Sequence, residues 1–233
     1  RRLMQRGLVV AEVSLALVLL VGAGLMIDHF RTLQGEELGF EAESLLTMRI
    51  NLEGTAYDTA ERRSNVLRAM EQAIAAVPGV VSAGMTTVNP LCCGDWGAVV
   101  EIEGREPASD GSRILVSHRY VSPGLYATMG IALKRGRPFT AQDDARSEPV
   151  VIIDQRMADH YWPGEDPLGE RIKLGNRPDS PWRTIIGVVD QIKDVSDYDD
   201  GWYLPFHQDA AARGTDELHL MVRLQGDAEQ IVP

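Results

Sequence analysis

The feature that most constrains this chain is a run from Leu8 to Ile27 in which only Glu12 and Ser14 are polar. At the helical rise of about 1.5 Å per residue, these residues span about 30 Å, the thickness of a bilayer's hydrocarbon core. A helix that is apolar on every face has no place on the surface of a soluble domain. A secretory signal is the rival reading, but its apolar stretch is usually about 7–15 residues long, and no clean small-x-small cleavage site precedes Asp28 and His29 here. The run therefore predicts a retained membrane helix within residues 1–30, behind a short cytoplasmic flank.

Arg1, Arg2 and Arg6 precede the run, whereas Asp28, His29, Arg31, Glu36 and Glu37 follow it. The positive-inside bias then places the N-terminus in the cytoplasm and everything after Ile27 outside it. Glu12, little more than a turn inside the cytoplasmic edge, reads as an interfacial or interhelical polar residue in preference to a proton relay. Membrane lipid is the first partner this implies.

The residues beyond the run suffice for one large domain or two small ones with real cores. Hydrophobic residues make up 44% and charged residues 24%, an ordinary globular balance. The formal net charge of -11, with no basic stripe to neutralise phosphates, excludes a nucleic-acid partner. Cys92 and Cys93 are adjacent and cannot staple distant parts of a fold. A vicinal disulfide, an intermolecular link and two plain thiols stay open, the last being favoured.

Leu46, Met48, Ile50 and Leu52 alternate as in a half-buried strand. Asp58 and Glu61 have capping-box spacing ahead of a helix whose apolar face is Val66, Leu67, Met70, Ile74 and Val77, stopped by Pro78 and Gly79. Residues 80–88 then read as a strand, which completes a strand–helix–strand unit. Further strands are expected in AVVEIEG, in residues 114–121, and in VVIID, ERIKL and WRTIIGVV. Short helices are expected in SPGLYATMG, with Ser122 as N-cap and Gly130 as the stop, and in QRMADHYW. Asp190 to Glu217 reads as an acidic exposed loop held to the body by the apolar WYLPF. ELHLMVRLQ alternates as a final strand, and DAEQIVP looks like a helix start. The class is α+β.

No phosphate loop, GxSxG or HExxH motif occurs. His29, His118, His160, His207 and His219 never fall at metal-ligand spacing. SDYDDG suggests a calcium loop, but aligning Gly201 with the loop's glycine puts Ser196, Tyr198 and His207 where carboxylates belong, and the pattern fails. A solvated acidic loop is the plainer reading, with a docking face for a basic periplasmic partner, around Asp197, Asp199 and Asp200, as the sharper one. Asp143 and Asp144 read as turn formers rather than a catalytic pair. Cys93 with His118 is a weak nucleophile–base candidate. No catalytic, cofactor-binding or metal residue is assigned, and no cofactor is expected.

Several stretches together carry a resemblance. LVVAEVSLALVLLVGAGLM, GFEAESLLTMRINL, VSPGLYATMGIALKRGRPFTAQD, VVIIDQRMADHYWPGEDPLGERIKLG and IIGVVDQIKD, in this order, resemble the MacB-like periplasmic core domain of FtsX-like ABC transporter permeases, nearest to the duplicated permeases that carry two such modules. The resemblance implies an N-terminal transmembrane helix, a linker over residues 31–44, and a two-lobed mixed α/β periplasmic domain. One lobe, porter-like and incomplete at its C-terminus, would take residues 41–91 and 206–233. The other, an inserted α/β lobe, would take residues 92–205. It further implies a non-catalytic subunit of the bacterial inner membrane, paired with a separate ABC ATPase, acting as a homodimer or as a pseudo-dimer through a second permease module. Such a domain conveys nucleotide-driven motion outwards by mechanotransmission, in export or another envelope process. Cys92, Cys93 and the acidic SDYDDG run depart from the family pattern. A membrane-anchored sensor or ligand-binding module is the alternative, and a thiol enzyme using Cys92 and Cys93 is a third.

Overall fold

The computed structural model describes residues 2–34, 39–52, 57, 59–90, 96–105, 112–175, 179–192, 198, 200–209 and 217–226. It divides into two compact units, Arg1–Glu37 and Leu38–Pro233. The first is one helix, α1 (Arg2–Gln34). Its described side chains include Leu15, Leu17, Val18, Leu19, Leu20, Leu25 and Met26, all 62–77% exposed. Among the described residues, no helix is long and apolar enough to cross a membrane.

In the second unit, β1 (Leu45–Asn51), α2 (Ala60–Ala75) and β2 (Val80–Thr86) form the expected strand–helix–strand unit. Between β1 and β2 lies β10 (Glu217–Leu224), antiparallel to both. The alternation in β10 decides the packing. Leu218, Leu220, Val222 and Leu224 join Leu67 of α2 in one core, and Met221 faces the opposite side in another. The cap of α2 differs from the expected box: Thr59 is the N-cap, and its side chain accepts from the Arg62 N–H at 3.3 Å. Asp58 lies outside the described residues.

The remaining strands are β3 (Gly97–Ile102), β4 (Ile114–Val121), β5 (Leu133–Gly136), β6 (Val150–Asp154), β7 (Arg171–Leu174), β8 (Arg183–Val189) and β9 (Gly201–Pro205). Their pairings run β4–β3–β7–β8–β6–β9 and return from β9 to β4, so this part of the sheet closes on itself. Closure leaves the six strands of this ring without a free edge, and β5 pairs with β8 alone beside it. Val100, Ile102, Val116, Tyr120, Val151, Ile153, Ile172, Val188, Trp202 and Leu204 fill the core it shares with α2, together with Met157, Ala158 and Trp162 from α4 (Gln155–Tyr161) and its end. WYLPF is thus a buried strand and its exit, not a loop anchor: every residue from Gly201 to Phe206 is buried.

The three-stranded part meets the closed part at a single ladder pair, Thr86 with Val121. α3 (Leu125–Met129) reinforces the joint on the face away from α2. Ser122 does not cap this helix: Gly124 does, without a side chain, and the Ser122 hydroxyl instead accepts from the Met85 N–H at 2.9 Å. Gly130 ends α3 at φ +69°, as expected of a C-terminal stop. Gly84 and Gly124 permit a close approach, since a Cβ on Gly84 would lie 2.5 Å from the Leu125 Cα and one on Gly124 2.3 Å from the Ala83 carbonyl oxygen. Arg223 adds donations from Nε to Thr128 O (2.7 Å), Nη1 to Glu43 O (3.1 Å) and Nη2 to Glu41 O (2.9 Å).

Candidate functional site

On the α2 face of the joint there is an open polar cleft of about 420 Å³, lined by Glu61, Ser64, Asn65 and Arg68 of α2, by Asp144, Ala145 and Arg146, and by His207 and Gln208. The helix supplies Glu61, Ser64 and Arg68 to one side because they lie three or four residues apart. Buried behind that surface, Ser64 Oγ lies 2.9 Å from His207 Nδ1. Burial pushes the His207 imidazole down to about 4; the neighbouring Arg68 charge acts in the same direction and Asp144 against it. His207 is therefore neutral at ordinary pH. Arg68 Nε is buried without a hydrogen-bond partner.

The opposite wall is fixed by side-chain bonds within the turn. Asp144 Oδ1 accepts from the Arg146 N–H at 2.9 Å, and the Ser147 hydroxyl donates to Asp144 O at 2.9 Å. Gln208 ties this turn to the strands: Oε1 accepts from Val150 N (3.0 Å) and Arg183 Nη1 (3.2 Å), and Nε2 donates to Ser147 Oγ (2.9 Å) and Glu148 O (2.8 Å). Asp143, beside the cleft, is buried and receives Arg137 through both terminal nitrogens at 2.8 Å and Thr140 N at 2.8 Å. Burial alone would raise its pKa, but these bonds hold the carboxyl below the usual range. Asp143 and Asp144 are turn formers, as their spacing suggests.

A second polar cluster lies under α3. Asp154 caps α4 by accepting from the Met157 N–H at 2.8 Å, and the Gly201 N–H also donates to it. Burial, reinforced by the charge of Asp200, lifts its carboxyl to about 7. Arg119, also buried, lies 5.9 Å from the Tyr203 ring, and Tyr203 meets Tyr126 edge-on at 5.8 Å. This cluster lacks an opening in the cleft and binds β4, β6 and β9 together.

The residues singled out in the sequence scatter. His118 lies half-buried against Tyr120 (5.0 Å) and Trp202 (6.2 Å) in the closed part. His160 Nδ1 contacts Asp200 Oδ2 at 3.1 Å, and Asp200 is buried rather than a solvated loop residue. His219 stands half-buried on β10, with Glu12 and His29 on α1. Cys92, Cys93, Asp197 and Asp199 lie outside the described residues. Among the described residues no three His, Cys, Asp or Glu side chains come together to hold a metal ion. Ser64, Arg68, Arg146 and Gln208 carry no motif, and only the spacing of Ser64 and Arg68 on one helical face hinted at a common wall.

Comparison with known proteins adds three kinds of likeness. A family model described as the MacB-like periplasmic core domain matches residues 7–231. A probable export ATP-binding/permease protein of Pseudomonas fluorescens is 31% identical over 131 residues, 52% of this chain and 18% of that protein. The macrolide export ATP-binding/permease protein MacB of Neisseria gonorrhoeae is 38% identical over 60 residues, 26% of this chain and 9% of that protein. The chain thus spans under a fifth of the length of these relatives. The crystal structure of the periplasmic region of MacB from Actinobacillus actinomycetemcomitans shares the fold at a TM-score of 0.51 and 16% identity, covering 82% of this chain and 78% of that one. A domain of a putative permease from Porphyromonas gingivalis does so at 0.50 and 16%, covering 82% and 81%.

Proposed function

The chain belongs to the MacB-like periplasmic core domain family, and from that premise we propose that it is the extracytoplasmic part, with its leading membrane helix, of the permease subunit of an ABC exporter. The family match along residues 7–231 is the observation that carries this reading. Relatives described as ATP-binding/permease proteins support an ATPase partner, here a separate subunit. The domain has no chemistry of its own; it transmits nucleotide-driven motion, in a homodimer or in a pseudo-dimer with a second permease module.

In this proposal α1 spans the inner membrane with its N-terminus in the cytoplasm. The exposed Leu and Val side chains of its described stretch support the span, and Arg1, Arg2 and Arg6 ahead of it support the orientation. Residues 41–91 with 206–233, and residues 92–205, are the two lobes, a division supported by their meeting at one ladder pair. Transmission needs a body that does not yield. Both cores cross the joint, one through Leu67, Leu218, Phe206 and Trp202, the other through Leu45, Met221, Tyr203 and Ile152. Shared apolar packing of that kind suppresses the relative motion otherwise expected between lobes.

Site-directed labelling tests the placement. In a Cys92→Ser, Cys93→Ser background of the full-length gene product, Asn65→Cys should react with a membrane-impermeant maleimide in cells with only the outer membrane opened. Labelling seen only after lysis of the inner membrane would contradict it. The membrane-anchored ligand-binding module remains the second reading, favoured by the polar cleft beside His207.

A further inference from the structure

We infer that the cleft beside His207 is a binding site for a small zwitterion carrying a carboxylate and an ammonium on a short backbone, either a free α-amino acid or an unblocked short peptide. The inference does not rest on the transport reading. At about 420 Å³ the cleft has the size of a small-ligand site, and its polar groups converge from three separate segments, α2, the turn at 144–146 and the exit of β9.

The charges on its rim select the ligand class. Arg68 and Arg146 supply two guanidinium groups, and a guanidinium is suited to binding a carboxylate with paired N–H donors. Among the described residues no ion pair engages Arg146, whose side chain is exposed, and the buried Nε of Arg68 lacks a hydrogen-bond partner. Glu61 and Asp144 share the same rim. A phosphate or other multiply charged anion would meet these two carboxylates, and a simple cation would meet the two guanidiniums. A zwitterion satisfies both, with its carboxylate towards Arg68 and Arg146 and its ammonium towards Glu61 and Asp144. Discrimination of this kind comes as much from the misplaced charge as from the matched one.

The cleft's buried wall suits such a ligand. Ser64 and His207 are only 8% and 4% exposed and already bonded to each other, so the wall is ordered before anything binds. His207 is neutral and adds no charge to the balance. A serine hydroxyl has one donor and two acceptor positions, so Ser64 keeps capacity for a backbone N–H of the ligand while bonded to His207. Asn65 offers both a donor and an acceptor at the rim.

Titration calorimetry on the intact chain in detergent, with alanine, trialanine, trialanine amide, N-acetyltrialanine and inorganic phosphate as probes, tests the inference. Alanine or trialanine should bind, with the stronger of the two identifying the source. Binding of the zwitterion should fall by about tenfold or more, the equivalent of about 1.4 kcal/mol, in Arg68→Gln and in Arg146→Gln. Should trialanine be the ligand, its amide should show the same loss, and Glu61→Gln should weaken trialanine while leaving N-acetyltrialanine unchanged. Arg146 is exposed, so its variant stays informative even if Arg68→Gln folds poorly. Absence of binding by both zwitterions at about 10 mM, well above the millimolar limit of weak sites, would overturn the inference. So would binding indifferent to Arg146→Gln, or phosphate binding in place of both zwitterions.

Discussion

On the α3 face of the joint, Gly84 and Gly124 let two backbones pass with no room for a methyl group, and Arg223 bonds three carbonyls from two segments. On the α2 face of the same joint, Ser64, Arg68 and His207 border an open polar cleft. The close-packed side fixes the angle between the two parts of the sheet. The polar side tolerates solvent because its buried pair, Ser64 and His207, is mutually satisfied. One joint can thus be stiff and still present a binding surface, provided the two properties occupy opposite faces.

The largest expected effect lies where the dry core passes beneath the cleft. Phe206 is fully buried and stacks on Tyr120 at 6.2 Å. Phe206→Ala should cost about 3–5 kcal/mol in urea unfolding. Gly84→Val comes next, at roughly 3 kcal/mol, because the added side chain must push Leu125 away. Asn65→Val on the exposed rim should stay within about 0.5 kcal/mol. A Gly84→Val cost as small as that of Asn65→Val would erase the contrast between the faces.

Asp154 and His207, one on each face, also differ in the sign of their pH response. Asp154 titrates at about 7 when folded, against a reference value of 3.8. Between those values the folded state holds the extra proton, so this group's contribution to stability falls as pH rises. His207 titrates at about 4 when folded, against 6.5, so its contribution falls as pH drops through that window. The slopes oppose one another between pH 4 and 6.5, each reaching about 1.4 kcal/mol per pH unit at most. Glu71, raised chiefly by burial, adds to the first trend, and His219, lowered chiefly by burial, to the second. Asp154→Asn should unmask a stability that rises with pH, and His207→Gln one that falls. Parallel profiles for the two variants would refute the opposition. The smallest effect is expected at the exposed pair of Arg49 and Glu217, 3.5 Å apart, where Glu217→Gln should change stability by less than about 0.5 kcal/mol.

Legibility in the sequence followed local pattern and flanking residues. Strand β10 is readable because its alternate residues face different cores, and β6 because VVIID is short, β-branched and bounded by turn residues. Strand β9 is buried on both sides, so it has no period, and the acidic residues around it suggested a loop. Closure of the sheet depends on β4 meeting β9, a pairing across some eighty residues that no local pattern encodes. The Ser122 hydroxyl was legible as a cap and serves instead as an acceptor for a neighbouring strand, since tertiary contact outweighs the local option. The cleft was least legible, because Ser64, Arg146 and His207 converge only through the fold.

The central claim is that the described residues of the unit Leu38–Pro233 move as one stiff body. Its most direct test is the distance between spin labels at Asn65→Cys and Ala145→Cys, on opposite walls of the cleft, in a Cys92→Ser, Cys93→Ser background of the full-length gene product assembled with the ATPase partner proposed for it. The account predicts the same distance distribution with and without bound ATP. A nucleotide-dependent shift or broadening would contradict it, and would place a hinge at the pair of Thr86 and Val121.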